Sequence, residues 1–242
     1  MKLAVIGNDA GLIAVKRAGL SYHMALGQHL AVDSAYFEFY RKERDRGAFI
    51  IVDNGASEGS TLPFAAVAER AYILGADEVV LPDKVGDMEE TIRLTLDPNN
   101  YKIIAPKQRF IVPQGATTQE WKECLWTILS NVQVGTIGLV RYLSQYEPQG
   151  RLKLVHWLRS ERLTSKLNIH ILGLRYHPLQ EARDLAKVKY IRGIDTALPI
   201  AMAQQGRILH EEERFPFNWD AQCDLNAAQH NIDRLKDICN GK

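Results

Sequence analysis

The chain has 242 residues, with 30 Lys and Arg against 29 Asp and Glu, a net charge of +1 and 46% hydrophobic residues. This excludes collagen-like and wholly disordered chains, and the balanced charge leaves only local basic faces for any polyanionic partner. Three scattered cysteines build no disulfide framework, no apolar run approaches the ~18 residues of a membrane span, and the first residues lack the basic flank of a signal peptide, so a cytoplasmic protein without membrane contact is expected.

Residues 3–6, 49–52, 78–81, 110–112, 134–137, 169–172 and 190–194 form short apolar runs. Most lack polar alternation, as do strands buried on both faces of a parallel sheet. Helical patterns lie between them. Phe64, Val67, Ala68, Ala71 and Leu74 share one stripe, with Pro63 placed as a first-turn residue. Asp87 is a start signal, and Thr117 with Glu120 has the spacing of a capping box ahead of Trp121, Leu125, Ile128 and Leu129. Pro178 opens a further helix with Leu179, Ala182 and Ala186 inward, and Leu225, Ala228, Ile232 and Leu235 mark a last one.

This alternation predicts βαβ units. No linker or composition break divides the chain, so residues 1–242 read as a single α/β domain. A (β/α)8 TIM barrel typically takes about 250 residues, which makes this a minimal one. Its eighth strand falls near residues 198–202 or earlier around 24–30; a doubly wound open sheet is the rival. Residues 21–46 break the alternation with Tyr22, Tyr36, Phe37, Phe39, Tyr40 and the charge run 41–46. They read as an aromatic-faced helix with a solvated end, or as a lid over the barrel mouth.

Active-site residues of such barrels gather at the C-terminal ends of the strands. The polar residues there are Asp53-Asn54-Gly55, Asp83 after Pro82, Gln114-Gly115 after Pro113, then Gly138-Leu139, and Asp195. A lone Asp after a strand is most often a cap or turn residue. Repetition at successive strand ends instead predicts carboxylates converging on one rim. Two carboxylates in different environments suit acid/base or covalent chemistry at a carbon centre.

The ordered set Val52-Asp53-Asn54-Gly55, Pro82-Asp83, Val112-Pro113-Gln114-Gly115, Gly138-Leu139, Leu172-Gly173 and Gly193-Ile194-Asp195-Thr196-Ala197-Leu198-Pro199, with Gly206 beyond, resembles the tRNA-guanine transglycosylase family. The resemblance implies a β/α barrel that exchanges guanine for a 7-deazaguanine, with no external cofactor. It implies that Asp195 is the nucleophile at the sugar carbon and that Asp53 is the general acid/base. Asp83 would read the amidine edge of the base. Gln114 and the Gly138 backbone would hold its exocyclic oxygen, Gly115 completes the base-binding set, and the Leu139 carbonyl would meet the deazapurine substituent.

The sequence also departs from that pattern. Cys124, Cys223 and Cys239 are far apart and form no Cys-x-Cys-x-x-Cys zinc motif, so no metal is expected. Asp83 is followed by Lys84-Val85, and residues 200–206 lack the arginines that the tRNA enzymes carry. The chain is therefore more similar to a zinc-free, phage-type branch acting on DNA, with 7-cyano-7-deazaguanine or an analogue as the incoming base. Alternatives are the same chemistry on tRNA, a nucleosidase using water, or a non-catalytic nucleic-acid-binding barrel subunit. A homodimer is a candidate assembly. Arg151, Lys153, Arg159 and Arg162, with Lys166, read as a phosphate track or as the solvated face of a helix with Leu152, Val155 and Leu158 inward. Lys102, Lys107 and Arg109 are a weaker candidate. His170 reads as a satisfied barrel residue and His177 as a loop residue near substrate.

Overall fold

A computed structural model describes residues 1–143, 149–174, 177–210 and 215–241. Eight strands follow one another along the chain: β1 (Lys2–Val5), β2 (Tyr22–Leu26), β3 (Phe49–Asp53), β4 (Glu78–Val80), β5 (Arg109–Ile111), β6 (Thr136–Leu139), β7 (Asn168–Leu172) and β8 (Ile191–Thr196). All ladders are parallel, in the order β1-β8-β7-β6-β5-β4-β3-β2, and β1 lies against β2. The sheet thus curls into a nearly closed (β/α)8 barrel. Its strands are mostly apolar because side chains fill one face and helices cover the other.

The described helices are α1 (Asp9–Arg17), α2 (Ala35–Asp45), α3 (Phe64–Leu74), α4 (Met88–Leu96), α5 (Pro98–Tyr101), α6 (Thr118–Leu129), α7 (Gly150–Ser160), α8 (Pro178–Ala186), α9 (Leu198–Ala203) and α10 (Leu225–Cys239). Their starts obey local chemistry. Asp87 accepts from the Glu90 N–H at 3.0 Å and Thr117 from the Glu120 N–H at 3.1 Å, satisfying donors a helix start leaves open. Glu120 reaches back to the Ala116 N–H at 2.7 Å, one residue before the cap.

Three expectations need correction. The second strand is residues 22–26, while residues 198–202 fall in α9, a helix with every residue buried. Residues 21–46 are not a lid: they hold β2 and α2, whose Tyr36, Phe37 and Tyr40 are buried against the barrel wall. The Tyr36 hydroxyl accepts from the Leu26 N–H at 3.1 Å, tying that aromatic face to the strand. The fifth apolar run is displaced, so that Gly138 and Leu139 lie inside β6 rather than after it.

One irregularity positions the site. Ile169 of β7 faces Ile191, but His170, Ile171 and Leu172 face Gly193, Ile194 and Asp195. Arg192 is the extra residue of a β-bulge, which re-aims side chains along the bulged strand. Residues three apart in a regular strand point to opposite faces. Here Arg192 and Asp195 both reach interior partners.

Candidate active site at the barrel mouth

Asp53 ends β3, Asp195 is the penultimate residue of β8, and Asp83 and Gln114 follow β4 and β5. All four therefore stand at the C-terminal rim. Asp53 is half-buried. Desolvation, followed by the charges of Glu58, Asp83 and Asp195, holds its carboxyl well above the usual carboxylate range, against one opposing hydrogen bond from Gly55. Glu58 is shifted upward by desolvation and by Asp195, with Arg141 pulling the other way. Burial and the neighbouring carboxylates thus both favour the protonated form of Asp53 at the rim. Glu58 carried no motif and was invisible as a site residue in the sequence.

Asp83 is held by two amides. Asn54 Nδ2 donates to Oδ1 at 2.7 Å and Gln114 Nε2 to Oδ2 at 2.5 Å. Burial nevertheless pushes its carboxyl up to about 6. Gln114, 1% exposed, accepts at Oε1 from the Gly86 N–H at 3.1 Å and from the Tyr142 hydroxyl at 2.5 Å. The Tyr142 oxygen in turn accepts from the Gly115 N–H at 3.3 Å. These bonds fix which end of the Gln114 amide faces Asp83. No strand-end motif pointed to Tyr142.

Gly138 lies beneath this group, and a Cβ there would sit 2.6 Å from the Phe110 ring and 2.8 Å from Leu172 Cδ1. The glycine is required by packing, whatever its backbone binds. The Leu139 carbonyl lies 3.5 Å from Arg151 Nη1.

Asp195, 5% exposed, is anchored from below. His170 Nε2 lies 3.0 Å from Asp195 Oδ1, and His170 Nδ1 lies 2.8 Å from the Tyr22 hydroxyl. Arg192 Nε donates to that hydroxyl at 3.1 Å, and its two terminal nitrogens donate to Glu78 at 2.6 and 2.5 Å. Thr136 completes the chain by donating to Glu78 Oε1 at 2.7 Å. Six polar side chains therefore run through an interior that such barrels usually fill with branched aliphatics. The available sequence signal was Glu78 and Arg192, opposite charges inside apolar runs, which demand a partner when buried. A cavity of about 510 Å³ opens at the opposite end, lined in part by Lys2, Tyr22, Lys189, Arg192 and Lys236; it holds none of the matched rim residues.

Over the ends of β1 and β2, Asn8 Nδ2 donates to the carbonyls of Trp219 and Ala221, both at 2.8 Å. Trp219 stacks on His29 with ring centroids 3.8 Å apart, and Phe217 meets it edge-on at 4.9 Å. These aromatics form a wall beside the rim that the strand-end motifs did not reveal.

The expected phosphate track is corrected. Arg151 has no exposed surface: it pairs bidentately with Glu181 at 2.9 and 2.6 Å and donates to the Leu172 and Gly173 carbonyls, both at 2.8 Å. Arg109 is likewise buried and bonded to the carbonyls of Tyr101, Ile104 and Gln133. Lys153 is exposed on the first half of α7. Arg159 lies over the Tyr190 ring, 5.0 Å from its centroid, and Arg162 follows in the turn after α7. Because α7 runs antiparallel to the strands, Arg159 and Arg162 sit at the end remote from the carboxylates. Arg141, placed just after β6 and 3.4 Å from Ser57 Oγ, is an exposed cation at the rim beside Glu58. Among the described residues, no three His, Cys, Asp or Glu side chains are grouped so as to hold a metal ion, and no helix is long and apolar enough to cross a membrane.

No protein-family model matches the chain, and neither does any curated protein. Solved structures do. Phospho-2-dehydro-3-deoxyheptonate aldolase of Thermotoga maritima aligns over 99% of this chain and 69% of its own, with 12% identity and a TM-score of 0.55. D-Psicose 3-epimerase of Clostridium cellulolyticum H10 aligns over 99% of both chains, with 13% identity and a TM-score of 0.54. Tryptophan synthase of M. tuberculosis covers 98% of this chain and 92% of its own, at 13% identity and 0.53. At such identities the likeness establishes the barrel fold, which enzymes of several chemistries share, and no activity follows from it.

Proposed function

We propose that the chain exchanges guanine in a nucleic acid for a free 7-deazaguanine through a covalent aspartyl-glycosyl intermediate. Asp195 attacks the sugar C1′ as the bond to the purine breaks, and the bonding electrons leave with guanine. Asp53 supplies the proton to the departing base. The incoming base then returns a proton to Asp53, attacks C1′ and releases Asp195. Splitting the displacement into two steps is the usual gain of a carboxylate nucleophile. Asp83, oriented by Asn54 and Gln114, accepts from the N–H/NH₂ edge of a guanine-like base, which adenine does not present.

The observation that carries this reading is the pairing of unlike carboxyls on one rim. Asp53 is pressed toward its protonated form by its surroundings, while Asp195 stands on the same rim beyond β1 and β2, with one oxygen hydrogen-bonded to His170. General acid and nucleophile need that difference. DNA is the favoured polymer. The stretch that carries arginines in the similar tRNA enzymes is here Ile200 to Gly206, without a single arginine, and its first four residues are buried in α9.

The test offers single-stranded DNA and tRNA, each with labelled guanine, alongside 7-cyano-7-deazaguanine. Guanine release beyond one equivalent per enzyme should depend on the added base, and a denaturant-resistant adduct should form with DNA and vanish in Asp195→Asn. An undiminished adduct in Asp195→Asn removes the proposed nucleophile; repeated turnover without the added base points to hydrolysis instead. Preference for tRNA overturns the choice of polymer alone.

A further inference from the structure

We infer that Arg192, acting through Tyr22, fixes which nitrogen of His170 carries the proton, and so makes His170 the positioning residue of Asp195. A guanidinium has donors only. Arg192 Nε–H therefore occupies the Tyr22 oxygen as an acceptor, at 3.1 Å. Burial keeps the Tyr22 hydroxyl protonated, far above its ordinary range. That proton has one acceptor among the contacts of Tyr22, His170 Nδ1 at 2.8 Å. Nδ1 must then offer its lone pair, which leaves the ring proton on Nε2, and Nε2–H donates to Asp195 Oδ1 at 3.0 Å.

Other arrangements leave a buried group unpaired. With the proton on Nδ1, the lone pair of Nε2 would face the carboxylate. A doubly protonated ring would aim Nδ1–H at the Tyr22 oxygen and leave the Tyr22 proton without an acceptor, at the cost of an unmade buried hydrogen bond. The other groups facing the ring are uncharged: Phe110 of β5 lies edge-on at 5.5 Å and Gly138 of β6 is its register partner. Glu78 of β4 meets the ring only through Arg192, whose charge it neutralises with bonds at 2.6 and 2.5 Å. The β-bulge matters here, since it brings Arg192 and Asp195 into the same interior.

A neutral N–H donor orients the carboxylate without pairing off its charge, whereas an imidazolium would do both. This consequence rests on Asp195 being the attacking group, as proposed above; the proton arrangement of the ring does not.

The long-range ¹H–¹⁵N spectrum of the His170 imidazole in the full chain at neutral pH, identified by the signals missing from His170→Gln, reads the arrangement directly. The expected pattern is a neutral ring with hydrogen on Nε2. In Tyr22→Phe a fraction of the rings should gain hydrogen on Nδ1. A wild-type ring protonated on Nδ1 alone, or on both nitrogens, overturns the inference, as does a Tyr22→Phe ring unchanged from wild type. The positioning role is read separately by covalent trapping of DNA. Tyr22→Phe should slow trapping about tenfold, the worth of one modest hydrogen bond, with oligonucleotide affinity unchanged. His170→Gln, which keeps a donor, should trap faster than His170→Leu. Normal trapping in Tyr22→Phe despite a mixed ring overturns the positioning role. If the wild type traps nothing, the exchange reading and the positioning role fall together, while the spectrum still decides the proton arrangement.

Discussion

Arg151 and Glu181 form a bidentate ion pair, at 2.9 and 2.6 Å, in which the guanidinium has no exposed surface and its remaining nitrogen caps the carbonyls ending β7. The pair joins α7 to α8 under the mouth. A cation in this position maintains the rim and is not available to a phosphate.

Removing one partner of such a pair leaves the other charge buried. Arg151→Met should therefore cost about 3–5 kcal/mol in urea unfolding. A stability loss below about 1 kcal/mol, combined with weakened DNA binding, would restore Arg151 to the phosphate-contact role.

Asp53 makes a pH prediction whose sign follows from its raised folded value. The folded state favours the protonated carboxyl. That contribution is complete below the ordinary carboxylate range, around 4, and is lost as pH rises through the higher folded value. Asp53→Asn keeps the neutral shape at every pH. Its Tm should match wild type near pH 4 and exceed it increasingly toward pH 8. Equal melting curves across that range would mean that the rim does not disfavour the charge. In the base-exchange assay the same variant should be slow, because the amide supplies no acid.

The basic residues sort by which end of the barrel they occupy. Arg141→Ala should weaken DNA binding and reduce the salt slope by about 0.7–0.9, one phosphate contact. Arg159→Ala and Arg162→Ala, at the remote end, should leave both unchanged. Titrations at several salt concentrations decide it, and the reverse ranking would place the polymer elsewhere on the surface.

Gly193 makes room for Tyr22: a Cβ there would stand 2.6 Å from Tyr22 Cε1 and 2.9 Å from its hydroxyl. Gly193→Ala should cost about 1–3 kcal/mol by overpacking. It should also disturb the His170 ring signals, because the displaced tyrosine is the partner of Nδ1. A variant as stable as wild type with an unchanged ring would show that Tyr22 is not held in place by this contact.

The barrel was largely legible in the chain because its evidence is local. Apolar runs without alternation, the capping residues Asp87 and Thr117, and Pro178 at a helix start each act within a few residues of themselves. The second strand was less legible: residues 22–26 carry Tyr and His among apolar neighbours, and burial of both faces has no local mark. The positions of Asp53, Asp83, Gln114 and Asp195 at one rim also followed from the order of strands, since parallel strands put every carboxyl end on the same side.

By itself, then, the sequence determined the alternation of strand and helix and hence which polar residues share the mouth. The tertiary structure alone decided which charges meet. Arg192 and Glu78 are 114 residues apart, and His170 and Tyr22 are 148 apart. One unpaired residue in β8 turns Arg192 and Asp195 to the same side. Burial turned Arg151 from a candidate surface cation into a strut, and helix direction carried Arg159 and Arg162 away from the carboxylates. Periodicity is a property of neighbours along the chain. The partner of a buried charge is set by the closure of the barrel, which no short stretch encodes.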